Sequence, residues 1–285
     1  VKQITHLKPL SLLHLYLPLL FTAWAVFGVS WLSGLGGSRE LALLVSLATD
    51  GDGFLLTFAV IVPVNTLEGV LGLVAFAAAY NRYNRGLLTL DLEFLPVSDA
   101  PDVRRLSEIS PRSISRLFVP LLALAAVNMA GTLGLVSALG LGAMLYGEEP
   151  GLGVMLMNGV VGTFFVAGVV VLGGMLAAVV YNRVAAGGDG VRLRLAETVE
   201  GVVLRRFGLR SLAYALPSFL AVTVVAVIGE LILGAMAGGG LIADALFSVG
   251  VALPTLWLVP FLYNHLCGRG GIAFGLKDNV FQPTR

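Results

Sequence analysis

The sequence predicts an all-α membrane protein, with six transmembrane helices as three parallel two-helix repeats, each followed by a short cytoplasmic β-segment. Three observations predict it. The chain of 285 residues is 57% hydrophobic and 12% charged, with mean hydropathy +0.92, whereas a soluble domain carries about 25% charged residues. Six stretches reach the ~20 mostly apolar residues that a spanning helix requires. An apolar run ends three times in Tyr-Asn, followed by glycine and a short alternating strand, and such recurrence is the mark of a repeat architecture.

The six expected spans are Leu10–Trp31, Phe54–Ala79, Leu117–Leu139, Val154–Val180, Leu212–Met236 and Leu241–Leu262. The first is longer than the core of a cleaved secretory signal, and the repeat gives it partners in the third and fifth spans, so it reads as a span. The short connector Ala237–Gly240 predicts a tight helical hairpin, and Arg39–Ala48 reads as a short interfacial helix. The 36 glycines suit close helix approach in a bilayer.

Six spans put both termini, the Tyr80–Arg116 loop and the Tyr181–Arg210 loop on one side. That side then holds every Lys and Arg except Arg39. Basic residues mark the cytoplasmic side. The expected location is therefore the cytoplasmic (inner) membrane, multi-pass, with both termini cytoplasmic. A net charge of +1 with no dense basic run argues against a nucleic-acid partner. Cys267 stands alone, so neither an internal disulfide nor a thiol metal cluster is available.

The repeat divides the chain into units 1–109, 110–206 and 207–285. Each opens with a proline near the cytoplasmic end of its first helix: Pro18, Pro120 and Pro217. Serine-containing turns precede them at Ser11, Ser113 and Ser211. The second helix of each unit ends at Tyr80-Asn81, Tyr181-Asn182 or Tyr263-Asn264. Tyrosine suits that depth because its ring is apolar and its hydroxyl seeks water, and asparagine can bond backbone groups freed at the helix end. The following Gly86, Gly190 and Gly270-Gly271 can adopt positive φ and stop the helix. Apolar residues then alternate at Leu88, Leu90, Leu92 and Phe94, at Val191, Leu193 and Leu195, and at Ile272, Phe274 and Leu276. A lone strand is unstable in water. Two arrangements follow: three strands paired in one small cytoplasmic sheet, or three separate strands on the membrane surface or on a partner.

The unit resembles a two-helix transmembrane family of unknown function found mainly in actinobacteria. The resemblance is carried by the polar-turn start Lys8-Pro9-Leu10-Ser11-Leu12-Leu13, by Tyr263-Asn264, and by Gly270-Gly271-Ile272 with Leu276. The first two units keep Tyr-Asn and the strand but lack the double glycine at that offset. As three tandem copies, the resemblance covers the whole chain and implies a membrane location; a three-unit chain would then correspond to a fused trimer.

Two carboxylates lie inside expected spans, Glu68 in the second and Glu230 in the fifth. Intramembrane carboxylates are costly and suggest function, so Glu68, Asn65, Asn128 and Glu230 form a candidate intramembrane polar site for a proton or cation path. The competing reading is bonding to neighbouring helices, or hydration near the outer surface. Aligned on Tyr-Asn, Glu68 corresponds to Val169 and Val251; aligned on the prolines, Glu230 corresponds to Trp31 and Leu133. Neither carboxylate repeats, so no threefold ring of charge lines a central pore. His265 reads as a cationic interface anchor in place of Arg82 and Arg183. His6 and His14 lie eight residues apart, and His14 as a pigment ligand is the weaker alternative. Asp50-Gly51-Asp52-Gly53 reads as a polar turn, lacking the ligand number of a calcium loop. No catalytic, cofactor or metal motif appears. The expectation is a non-enzymatic accessory or scaffold subunit, in contact with membrane lipids and other membrane-protein subunits. The alternative is a channel or secondary transporter using Glu68 and Glu230.

Overall fold

The computed structural model describes residues 2–22, 62–83, 89–97, 100–138, 152–198, 201–237, 255–266 and 270–278. It corrects the all-α expectation. Six strands, β1 (Lys2–Leu7), β2 (Leu90–Val97), β3 (Ala100–Ile109), β4 (Arg192–Thr198), β5 (Gly201–Phe207) and β6 (Ile272–Asp278), close into one antiparallel barrel. The strands run around it in chain order, and β6 closes on β1 through Lys2↔Asp278, Ile4↔Leu276 and Leu7↔Phe274.

The even strands β2, β4 and β6 are the alternating segments legible in the sequence. They do not pair with one another. Each is flanked by two odd strands, through registers such as Ile4↔Leu90, Phe94↔Leu106, Leu195↔Leu204 and Val202↔Phe274. The odd strands escape sequence reading because they carry charge and alternate poorly, as in Val103-Arg104-Arg105-Leu106 and Val203-Leu204-Arg205-Arg206. Cationic stretches beside a membrane span read as loops, although the outer wall and rim of a barrel accept the same charges. Closure removes the free strand edges that an isolated hairpin would expose. Ile4, Leu204 and Phe274 are buried inside, packed with Leu90, Leu92, Leu193, Leu195 and Leu276.

Helices α1 (13–22), α2 (Val62–Tyr83), α3 (Phe118–Ala138), α4 (Leu152–Ala185), α5 (Leu216–Ala237) and α6 (255–266) leave and re-enter the barrel at one end. Each odd strand leads through a short turn (Pro9–Leu12, Pro111–Ser115 or Leu209–Ala215) into a helix, and each even strand follows α2, α4 or α6. The contacts therefore phase the repeat as strand, helix, helix, strand. Within the helical layer α3 packs against α2 and α4, and α4 packs against α5.

The expected six spans are corrected as well. Among the described residues three helices are long and apolar enough to cross a membrane: Pro111–Gly131, Gly159–Ala185 and Leu209–Gly229. The apolar helix Pro9–Thr22 is shorter. These three helices are compatible with membrane association. On α4 the exposed side chains between Leu156 and Val179 are themselves apolar, Met157 at 63% and Leu172 at 62%, as expected of a surface that meets lipid rather than water; exposed Arg183 stands at its C-terminal end. The expected interfacial helix Arg39–Ala48, the turn at Asp50-Gly51-Asp52-Gly53, and Gly86 lie outside the described residues.

Candidate functional site

The repeated Tyr-Asn pair sits where each returning helix meets the barrel, and it performs the same task three times. The Tyr80 hydroxyl donates to the Ile4 carbonyl (2.5 Å) and accepts from the Leu90 amide (3.2 Å). Tyr181 does this with Leu106 (2.7 Å) and Val191 (2.9 Å), and Tyr263 with Leu204 (2.5 Å) and Ile272 (3.0 Å). One hydroxyl thus ties an odd strand to the even strand of its own unit. Each neighbouring asparagine closes both backbone groups of the residue that ends the odd strand. Asn81 bonds Leu7, Asn182 bonds Ile109 and Asn264 bonds Phe207, at 2.8 to 2.9 Å throughout. Each of these residues is the last of its strand, and the asparagine supplies its amide and carbonyl with the partners that part-buried backbone groups require.

The Tyr80 and Tyr263 side chains are fully buried. Burial pushes the Tyr80 hydroxyl above the usual phenol range; the Leu90 amide opposes this and the Asp91 charge reinforces it. Tyr80 is therefore a protonated donor at neutral pH. The glycine expectation is overturned after α4, where the positive φ belongs to Gly188 (+96°) and not to Gly190. Gly190 and Gly271 serve close approach instead: a Cβ there would run into the carbonyls of Leu106 and Leu204 respectively. The first unit has buried Thr89 at this place.

The serine turns join one unit to the next. Ser11 Oγ donates to Lys8 O (2.7 Å) and accepts the Ala273 amide of β6 (2.9 Å). Ser211 Oγ donates to Gly208 O (2.6 Å) and accepts the Arg192 amide of β4 (2.8 Å). Ser113, fully buried, donates to Ser110 O (2.7 Å), while the Ser110 amide bonds Asp91 O of β2 (3.1 Å). Spacing placed all of these residues at the membrane boundary; it carried no sign of their strand partners.

The intramembrane candidates are only partly brought together. Glu68 is buried on α2 with Oε1 unpartnered. Its carboxyl lies against Gly131 of α3, where a Cβ would collide with it. One turn along each helix, Asn128 faces Gly72. Tyr16 of α1 packs on Gly69 and donates to Thr66 O (3.1 Å). Glu230 belongs to α5, which packs on α4 rather than α2; the side chains of Glu230 and Asn65 are outside the described ones. His14 Nδ1 lies 3.0 Å from Ser11 O, and the ring of exposed His265 lies tilted at 37° against Phe261, 4.2 Å between centroids. Among the described residues no three His, Cys, Asp or Glu side chains gather as metal ligands would.

A cavity of about 610 Å³ occupies the barrel end remote from the helices. Lys2, Arg104 and Val202 occupy equivalent places on the odd strands, two residues from the carbonyls held by the tyrosines, and all three line it. Phe94, Leu195 and Leu276 line it from the even strands. At the rim Arg194 pairs with Asp102 (2.7 Å), both half exposed. This cavity was not foreseen, because it forms only when the odd strands, which read as loops, pair with the even ones and close the ring.

Neither a protein-family model, nor a curated protein, nor a solved structure matches this chain.

Proposed function

We propose that the chain is a non-catalytic integral membrane protein, an accessory or scaffold subunit that presents a rigid β-barrel to partner subunits at the cytoplasmic face of the inner membrane. The observation that carries this reading is the threefold Tyr-Asn grip, which fastens helices to barrel at three equivalent points. Such fastening suits a platform that holds its shape rather than a carrier that rocks. The basic residues Arg104, Arg105, Arg192, Arg205 and Arg206 lie on barrel strands, which supports a cytoplasmic barrel by the positive-inside rule. The resemblance to the two-helix family belongs to the same proposal. A single-unit relative would build the barrel from three copies, with the β2–β3, β4–β5 and β6–β1 pairs formed between copies.

Purification from native membranes in mild detergent tests it. Co-purification with other membrane subunits, at constant ratio and unaffected by Glu68→Gln, is expected. A lone monodisperse protein that conducts ions in liposomes, and stops doing so in E68Q, would overturn it. That second outcome is the transport reading, which the buried unpartnered Oε1 of Glu68 favours; the single occurrence of the carboxylate among three units weighs against it.

A further inference from the structure

The barrel mouth differs from the rest of the junction in breaking the threefold pattern. Its cavity is lined by four basic and two acidic side chains beside an apolar wall. Arg194 is engaged by Asp102, whereas Arg104 and Arg205 make no ion pair among the described residues. Cations stand on β1 and β3 as Lys2 and Arg104, but the equivalent place on β5 is Val202. Across the ladder Val202 faces Glu197 of β4 and Phe274 of β6, and Leu195 and Leu276 stand two residues further along those strands, so apolar side chains line the cavity beside the cationic ones. The volume of about 610 Å³ falls within the range of small-molecule sites. An arginine fork presents paired donors that match a carboxylate or phosphate. Lys2 stands five residues beyond Leu7, roughly 16 Å at strand rise, on the side away from the helices, so a ligand enters from water rather than from the bilayer.

We infer that the barrel mouth binds a small molecule made of an oxyanion joined to an apolar group, the oxyanion held by Arg104 and Arg205 and the apolar part set against Leu195, Val202 and Leu276. Asp102 and Glu197 bias the site against ligands of high negative charge. This goes beyond the scaffold reading, and either can fail without the other.

The test is calorimetric titration of the full chain in a non-ionic detergent with phenyl phosphate, benzoate, inorganic phosphate and benzyl alcohol. Saturable binding of phenyl phosphate or benzoate is expected, at least tenfold tighter than either inorganic phosphate or benzyl alcohol, and the stronger of the two identifies the oxyanion. R104Q/R205Q should weaken it at least tenfold while leaving the far-ultraviolet circular dichroism unchanged. If that variant does not fold, R104K/R205K serves, and loss of the paired donors should still weaken binding severalfold. No saturable binding of either aromatic anion to the wild-type chain would overturn the inference. So would equal binding of benzyl alcohol, or undiminished binding by a folded variant.

Discussion

Asn81 satisfies both backbone polar groups of Leu7, 74 residues away in the chain, accepting from its amide and donating to its carbonyl at 2.8 Å each. A primary amide is uncharged at neutral pH and presents donor and acceptor side by side. The same bidentate closure at Ile109 and Phe207 explains why asparagine follows tyrosine in every unit.

Replacing Asn81 by alanine is expected to destabilise the fold by about 2 kcal/mol, because two backbone groups lose their partner in a partly buried place. N182A and N264A should fall in the same range, since their geometry is the same. N81D keeps the acceptor, loses the donor and sets a charge beside the Leu7 carbonyl, so it should be no milder than N81A. Denaturant midpoints in detergent measure this, and unchanged midpoints would remove the closure from any role in stability.

Ser11 holds the seam between the first and last strands. In S11A the Ala273 amide loses its acceptor, and its hydrogen exchange should speed up by roughly tenfold, the equivalent of one hydrogen bond. The Arg192 amide, held by Ser211 at another seam, should keep its rate. Equal acceleration at both sites would mean that S11A loosens the whole barrel rather than one seam.

Gly131 and Glu68 are expected to couple. G131A forces its methyl into the Glu68 carboxyl and should destabilise the protein, whereas the same substitution on an E68A background meets an emptied space. A double-mutant cycle should return a coupling of about 1 kcal/mol or more. Additive effects would show that the two side chains do not share this contact.

Alkaline pH should separate wild type from Y80F. The Tyr80 hydroxyl titrates above its unfolded value, so folding favours its protonated form. That contribution is fully present below the ordinary phenol pKa of about 10 and is lost as pH rises through the folded value. Y80F lacks both hydroxyl hydrogen bonds, so it should start less stable and show a shallower decline in this window. Parallel declines would assign the alkaline loss to other groups.

The positions of Tyr80, Tyr181 and Tyr263, of their asparagines, and of the three serines were legible because each recurs at nearly constant spacing. The inward faces of β2, β4 and β6 were legible because their apolar residues alternate cleanly. The odd strands were not, because Lys2, Arg104, Arg105, Arg205 and Arg206 gave them the composition of cytoplasmic loops. Glu68 was legible as a rare carboxylate in an apolar stretch, yet its neighbour Gly131 was not, since a glycine in a membrane helix carries no sign of what it accommodates.

By itself, the sequence determined that the protein is built from three units of one design, rich in apolar helix, with a polar junction at the same end of each. Local chemistry suffices for that, since apolar length, Tyr-Asn and alternation are read within a few residues of chain. Only the tertiary structure decided that the alternating segments are separated by charged partners and closed into a barrel with an amphipathic mouth. Strand pairing is a non-local hydrogen-bond choice. Three tyrosines and three asparagines then tie that barrel to the helices by bonds to backbone groups about 60 to 75 residues away, as at Leu204, Phe207, Leu7 and Ile4.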